Sequence, residues 1–138
     1  MPDTISLHVL GVMRLIPRPP ISGGAAGPLL RCRIESASDA AVLHAEGEVD
    51  MSTAPKLEGA IAAAFRAASR VIVNLSRAQY LDGSGVRVLE AAARRHPRRF
   101  VVVASNRDIH RLFEILDLAN ALPVVSSVTA AREYLRLE

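Results

Sequence analysis

Residues 71–89 read VIVNLSRAQYLDGSGVRVL, and the change of period inside this stretch sets the architecture. Val71-Ile72-Val73-Asn74-Leu75 is short, mostly apolar and β-branched, as expected of a central strand covered on both faces. From Ser84 or Gly85 to about Arg95 the apolar residues Val86, Leu89 and Ala93 take helical spacing, and Pro97 cannot continue that helix. Residues 76–83 between them read as a loop.

The same unit repeats on either side. Phe100-Val101-Val102-Val103-Ala104 reads as a second buried strand, followed by a helix that Ser105-Asn106 can cap and that carries Ile109, Leu112, Phe113 and Leu116 on one face. A short strand near Leu122 to Val125 and a helix from Ser127, with Val128, Ala131 and Leu135, close the chain. Upstream, Leu30-Arg31-Cys32-Arg33-Ile34 alternates apolar and charged side chains, and a polar turn leads into a strand at about Ala41 to Ala45. So short a connection makes those two strands an antiparallel hairpin. Ser52 or Thr53 can cap a helix whose first turn accepts Pro55 and whose inner face is Leu57, Ile61, Ala64, Phe65 and Ala68. Strands joined by helices in this way pair in parallel through right-handed crossovers. The expected fold is α/β: one mixed, mostly parallel sheet with an N-terminal antiparallel hairpin strand, flanked by about four helices.

A chain of 138 residues fits one domain. Its 50% hydrophobic and 22% charged content is that of a globular protein, with a core of Ala, Val, Leu and Ile because aromatics are only 4%. Residues 17–28 (PRPPISGGAAGP) read as a linker, so residues 1–28 are expected to be a flexible N-terminal extension and the domain to start near Leu29. The lone Cys32 excludes an intramolecular disulfide, and no Cys/His spacing suits zinc. Neither a spanning segment nor a signal peptide is read, and a cytoplasmic location is expected. A net charge of +3 names no partner. The run Arg94-Arg95-His96-Pro97-Arg98-Arg99 lacks interleaved aromatics and falls where a helix ends, so it reads as a solvated cluster that suits the helix dipole. Neither nucleic acid nor a membrane is expected as a direct partner, and no cofactor is expected.

Loops leaving the carboxyl ends of parallel strands collect on one edge, which should gather Asp50, the Asp82-Gly83-Ser84-Gly85 turn and Asn106. Ser84 then presents a hydroxyl at a helix N-terminus, where it can cap the helix, accept a modification, or both. Flanking glycines keep the backbone approachable, and unpaired N–H groups there could hold a phosphate. Enzyme motifs fail on these residues. A nucleophile elbow needs glycines where Asp82 and Val86 stand. A dinucleotide fingerprint from Gly83 needs Gly or Ala at Val88, and no phosphate-binding lysine loop exists. The chain is not expected to be an enzyme.

The stretches Gly47-Glu48-Val49-Asp50-Met51-Ser52-Thr53-Ala54-Pro55-Lys56-Leu57 and Tyr80-Leu81-Asp82-Gly83-Ser84-Gly85-Val86-Arg87-Val88-Leu89, with Val71 to Leu75 ahead of the second, resemble the two signature stretches of the STAS family, in particular bacterial anti-sigma-factor antagonists. The resemblance implies a STAS domain over residues 29–138. It also implies a phosphoacceptor at Ser84, with Asp82 as the acidic residue of the turn and Asp50 closing the first stretch. The implied partner is an anti-sigma factor of ATPase-type serine kinase fold, with a phosphatase as the opposing enzyme. The chain departs from the family at Gly83, where a serine is usual, and at Asn74, where aspartate is common. Some STAS domains instead serve as constitutive subunits of lipid-transport or stress-sensing assemblies.

Overall fold

A computed structural model describes residues 29–37, 39–115 and 121–136. The expected boundary at residue 28, the extension before it and the side chain of Leu116 lie outside the described residues. Among them the elements run β1 (Arg31–Ser36), β2 (Ala41–Val49), α1 (Ala54–Ala67), β3 (Val71–Leu81), α2 (Gly83–Arg95), β4 (Phe100–Val103), α3 (Arg107–Ile115), β5 (Val124–Val125) and α4 (Val128–Arg136).

The five strands pair in chain order, β1-β2-β3-β4-β5. β1 is antiparallel to β2, with Arg33 opposite His44, and every later pairing is parallel, with Leu43 beside Val73 and Val73 beside Val102. This is the expected mixed sheet. The two faces bury different helices. Leu57 and Ile61 of α1, Val86 and Leu89 of α2, and Ile109 and Leu112 of α3 pack on Leu43, Val73 and Val102. Ala131 and Leu135 of α4 pack on Val42, Ile72, Val101 and Val103. Alternate residues of each buried strand thus serve opposite layers, which is why those strands read as unbroken apolar runs. Each Leu or Ile so buried contributes about 1.5–3 kcal/mol.

Three local expectations are corrected. Residues 76–81 are not loop: β3 runs on to Leu81, and β2 continues past Ala45 to Val49 beside it. Between the pairs His44↔Asn74 and Glu46↔Arg77, and again between Gly47↔Ala78 and Glu48↔Tyr80, β3 spends one residue more than β2. These two bulges break the period that would have marked a strand. At α1, neither Ser52 nor Thr53 caps with its side chain. Instead Asp50 Oδ1 accepts from the N–H groups of Ser52 (2.9 Å) and Thr53 (3.1 Å), while Thr53 Oγ1 donates to Glu48 O at 2.8 Å. Finally, β1 is an edge strand only partly covered, with Ile34 36% exposed.

Gly47 is where the chain crosses itself. It takes φ +113°, and a Cβ there would run into the carbonyl oxygen of Leu29. Leu30, fully buried, follows directly, and Lys56 Nζ donates to its carbonyl at 2.6 Å.

Candidate functional site

The carboxyl ends of β2 and β3 lie side by side, Val49 opposite Leu81, so the next residues on each strand, Asp50 and Asp82, emerge together. Asp82 N donates to Val49 O at 3.1 Å, which fixes the junction. Asp82 then starts α2. It has extended backbone, and its Oδ1 accepts from the N–H of Ser84 at 2.8 Å and of Gly85 at 3.4 Å. Asp82, and not Ser84, is the N-cap, so the capping reading of Ser84 is overturned.

The consequence for Ser84 is specific. It occupies the second helical position, half-buried, and among the described residues its Oγ finds no hydrogen-bond partner. Two of the N–H groups that could have held a phosphate inside the fold, those of Ser84 and Gly85, are already taken by Asp82. Nor do Gly83 and Gly85 adopt positive φ; Gly47 is the described glycine that does. Gly85 is needed for contact instead, since a Cβ there would lie 2.5 Å from Val49 Cγ1 and 2.6 Å from Leu81 Cδ1. α2 therefore enters pressed against the strand ends, with the Ser84 side chain at its first turn.

Asn106 plays a similar local role on the next helix, its Oδ1 accepting from Asp108 N at 2.7 Å. It is not brought to Ser84. β4 leaves the sheet at Val103, opposite Asn74, whereas β3 continues to Leu81. Asn106 thus sits part-way down the edge.

Two features escaped the sequence reading. Met51, next to Asp50, is 77% exposed, an apolar side chain at the rim of the edge. Its signal was an apolar residue in a loop between Asp50 and Ser52. The second lies on the sheet face beyond α4: His44 Nε2 bonds Glu35 Oε1 at 2.9 Å, and Asn74 Nδ2 reaches His44 Nδ1 at 3.2 Å. Since an amide nitrogen can only donate, His44 carries its proton on Nε2. The hydrogen bond from His44 holds the Glu35 carboxyl below its ordinary range. A cleft of about 540 Å³ opens there beside Arg31, Arg33 and Arg77. Cross-strand register assembles this group, and register was not readable from composition.

No His, Asp or Glu side chain is hydrogen-bonded to Ser84 Oγ among the described residues, and none of these form a cluster of three or more metal-ligating groups. Burial pushes the Cys32 thiol up, against the weaker pull of Lys56, so it is protonated at neutral pH. Among the described residues no helix is long and apolar enough to cross a membrane.

Asp82→Ala removes the acceptor for two N–H groups of α2. We expect it to cost about 1–2 kcal/mol, read as a lowered urea midpoint with an unchanged m-value.

Known proteins share this fold. The family model described as "Mlab, STAS domain" matches residues 32–126. An anti-sigma factor antagonist from Mycobacterium paratuberculosis is 26% identical with a TM-score of 0.71, over 78% of this chain and 94% of that one. The Bacillus anti-sigma factor antagonist SpoIIAA superposes in its unphosphorylated form with a TM-score of 0.57 at 18% identity, over 77% of this chain and 98% of that one. Its phosphorylated form gives 0.56 at 18% identity, over 75% and 98%. Among curated proteins none matches.

Proposed function

The chain belongs to the STAS domain family, and from that premise we propose that it is an anti-sigma-factor antagonist switched by phosphorylation of Ser84. Unmodified, the edge formed by Asp50, Met51, Asp82 and Ser84 docks on an anti-sigma factor of ATPase-type serine kinase fold, which releases the sigma factor it holds. Transfer of a phosphoryl group to Ser84 Oγ ends that contact, and a phosphatase restores it.

One observation carries the reading: Asp82 caps α2, and this leaves the Ser84 hydroxyl unbonded at the first turn. A serine that caps its own helix would have to give up a bond to react. This one does not. The phosphate adds about −1.5 to −2 charges directly beside the Asp82 carboxylate and near Asp50. With the Ser84 and Gly85 N–H groups engaged by Asp82, the new charge projects toward the partner and is not absorbed by the helix terminus. The expected effect is therefore on the interface and not on the fold. The likeness of the described fold to SpoIIAA in both of that protein's forms supports this.

The test is affinity capture from a lysate of the source organism with unmodified protein and with Ser84→Asp, followed by mass spectrometry of the retained proteins and of residue 84. An anti-sigma factor held by the first and not by the second supports the switch. Equal retention, or modification only at other residues, rejects it. A constitutive STAS subunit is favoured by one observation, that the matching family model is described for Mlab and not for the antagonists. It predicts one set of partners whatever stands at residue 84.

A further inference from the structure

The end of the molecule opposite Ser84 carries a charge density that the switch does not use. α1 and α2 both run back from the Ser84 edge toward the strand starts, and both finish in arginine, Arg66 in the last turn of α1 and Arg94 and Arg95 in that of α2. Phe65 and His96 stack with centroids 3.6 Å apart, which locks the two helix ends together. Val71 N donates to Arg99 O at 2.9 Å, and Ala41 N to Arg70 O at 2.9 Å, so Arg70, Arg99 and the β1–β2 turn lie at the same pole. Arg66, Arg94, Arg95, Arg98 and Arg99 are exposed there. Among the described residues, Glu90 stands 3.1 Å from Arg94, and Asp39 stands 3.0 Å from Arg132 and 3.9 Å from Arg136. These pairs leave Arg66, Arg95, Arg98 and Arg99 without an acidic partner among the described residues, an excess of positive charge. His96 registers it: burial and then the charges of Arg95 and Arg99 lower its pKa.

Basic side chains in the last turn suit a helix C-terminus, which accounts for Arg66, Arg94 and Arg95. It does not account for the turn that follows. Arg99 N donates to His96 O at 3.0 Å, closing a turn of which Pro97 and Arg98 are the central residues. Arg98 takes φ +65°, the left-handed conformation in which glycine is favoured and a long side chain is strained. The chain thus keeps an exposed cation where glycine would be more stable. Strain retained at the surface points to use.

We propose that this arginine pole docks the protein on an anionic phospholipid surface, the guanidinium groups pairing with lipid phosphates. The geometry favours a flat anionic surface over nucleic acid. α1 and α2 meet the pole by their ends, so neither lies along the surface as a groove reader must. Phe65, stacked on His96 and against Phe100, offers no free face to an unpaired base. Docked in this way, the Ser84 edge points away from the lipid. The proposal stands independently of what Ser84 binds.

Co-sedimentation of the full chain with vesicles of phosphatidylcholine, with and without phosphatidylglycerol, tests it. Binding is expected only with phosphatidylglycerol, to fall as salt rises, and to weaken about fivefold for each of Arg94→Gln, Arg95→Gln, Arg98→Gln and Arg99→Gln. Arg98→Gly separates use from architecture, because it should melt about 3–6 °C higher yet bind these vesicles less well. Equal binding to neutral vesicles, no loss when Arg94, Arg95, Arg98 and Arg99 are all replaced by Gln in one variant, Arg98→Gly binding as tightly as the parent, or tighter capture of duplex DNA than of vesicles would overturn the proposal.

Discussion

Ser84→Asp is expected to bind the anti-sigma factor captured by the unmodified protein at least about a hundredfold more weakly, and Ser84→Ala about as tightly as the parent. The magnitude follows from like charges brought together in a desolvated contact, which cost several kcal/mol; about 3 kcal/mol is a hundredfold. Only the charge is at issue, since Ser84 Oγ makes no bond for either substitution to break among the described residues. An aspartate in the first turn of a helix gains up to about 1 kcal/mol from the dipole, and repulsion from Asp82 offsets part of this. The melting temperature should therefore stay within a few degrees of the parent. Titration calorimetry with the isolated partner reads the first effect and a thermal melt the second. Loss of affinity together with loss of fold would mean that residue 84 supports the architecture and not the interface.

Gly47→Ala is expected to cost the fold about 3–5 kcal/mol and to lower the thermal midpoint by roughly 10–20 °C. Two penalties add. Positive φ strains any residue with a Cβ, and this Cβ would also meet a carbonyl of the main chain at Leu29, which cannot rotate aside as a side chain can. Relief would need Leu29 and Leu30 to lift, dragging buried Leu30 from the core and breaking the Lys56 Nζ contact to its carbonyl. Circular dichroism melts of the variant check this. A shift of only a few degrees would mean that residues 29–30 can leave β2 at little cost.

What was legible in the chain was whatever keeps a simple period. The runs at Val71–Leu75 and Phe100–Val103 are buried on both faces and read correctly as central strands. The α2 stripe of Val86, Leu89 and Ala93 was equally plain. Illegible were the places where one residue answers to two neighbours. Ser76 and Arg77, consecutive exposed residues, look like the beginning of a loop, yet Ser76 falls within a bulge, Arg77 pairs with Glu46, and Ala78, Tyr80 and Leu81 continue the sheet. Asp82 was read as an acidic member of the turn and Ser84 as its cap. Either can accept an N–H, and local spacing does not rank them; the extended backbone at Asp82 and the entry angle of α2 do. Gly85 was read for accessibility, although its meaning is contact with Val49 and Leu81, residues far apart in the chain.

The doubled bulge in β3 makes that strand an exercise in counting. Each extra residue is taken up within its own bulge, so Leu81 faces the same helices as Leu75. Substitutions at Ser76, Arg77 and Gln79, all exposed, leave this facing intact. Removing one of the extra residues leaves it intact too, because β2 keeps a single alternation from Ala41 to Val49 and β3 follows its faces on both sides of each bulge. What such a deletion would flatten is the local bend, so the two spare residues set the aim of Asp82 and Ser84 at the strand ends and not the face on which they stand.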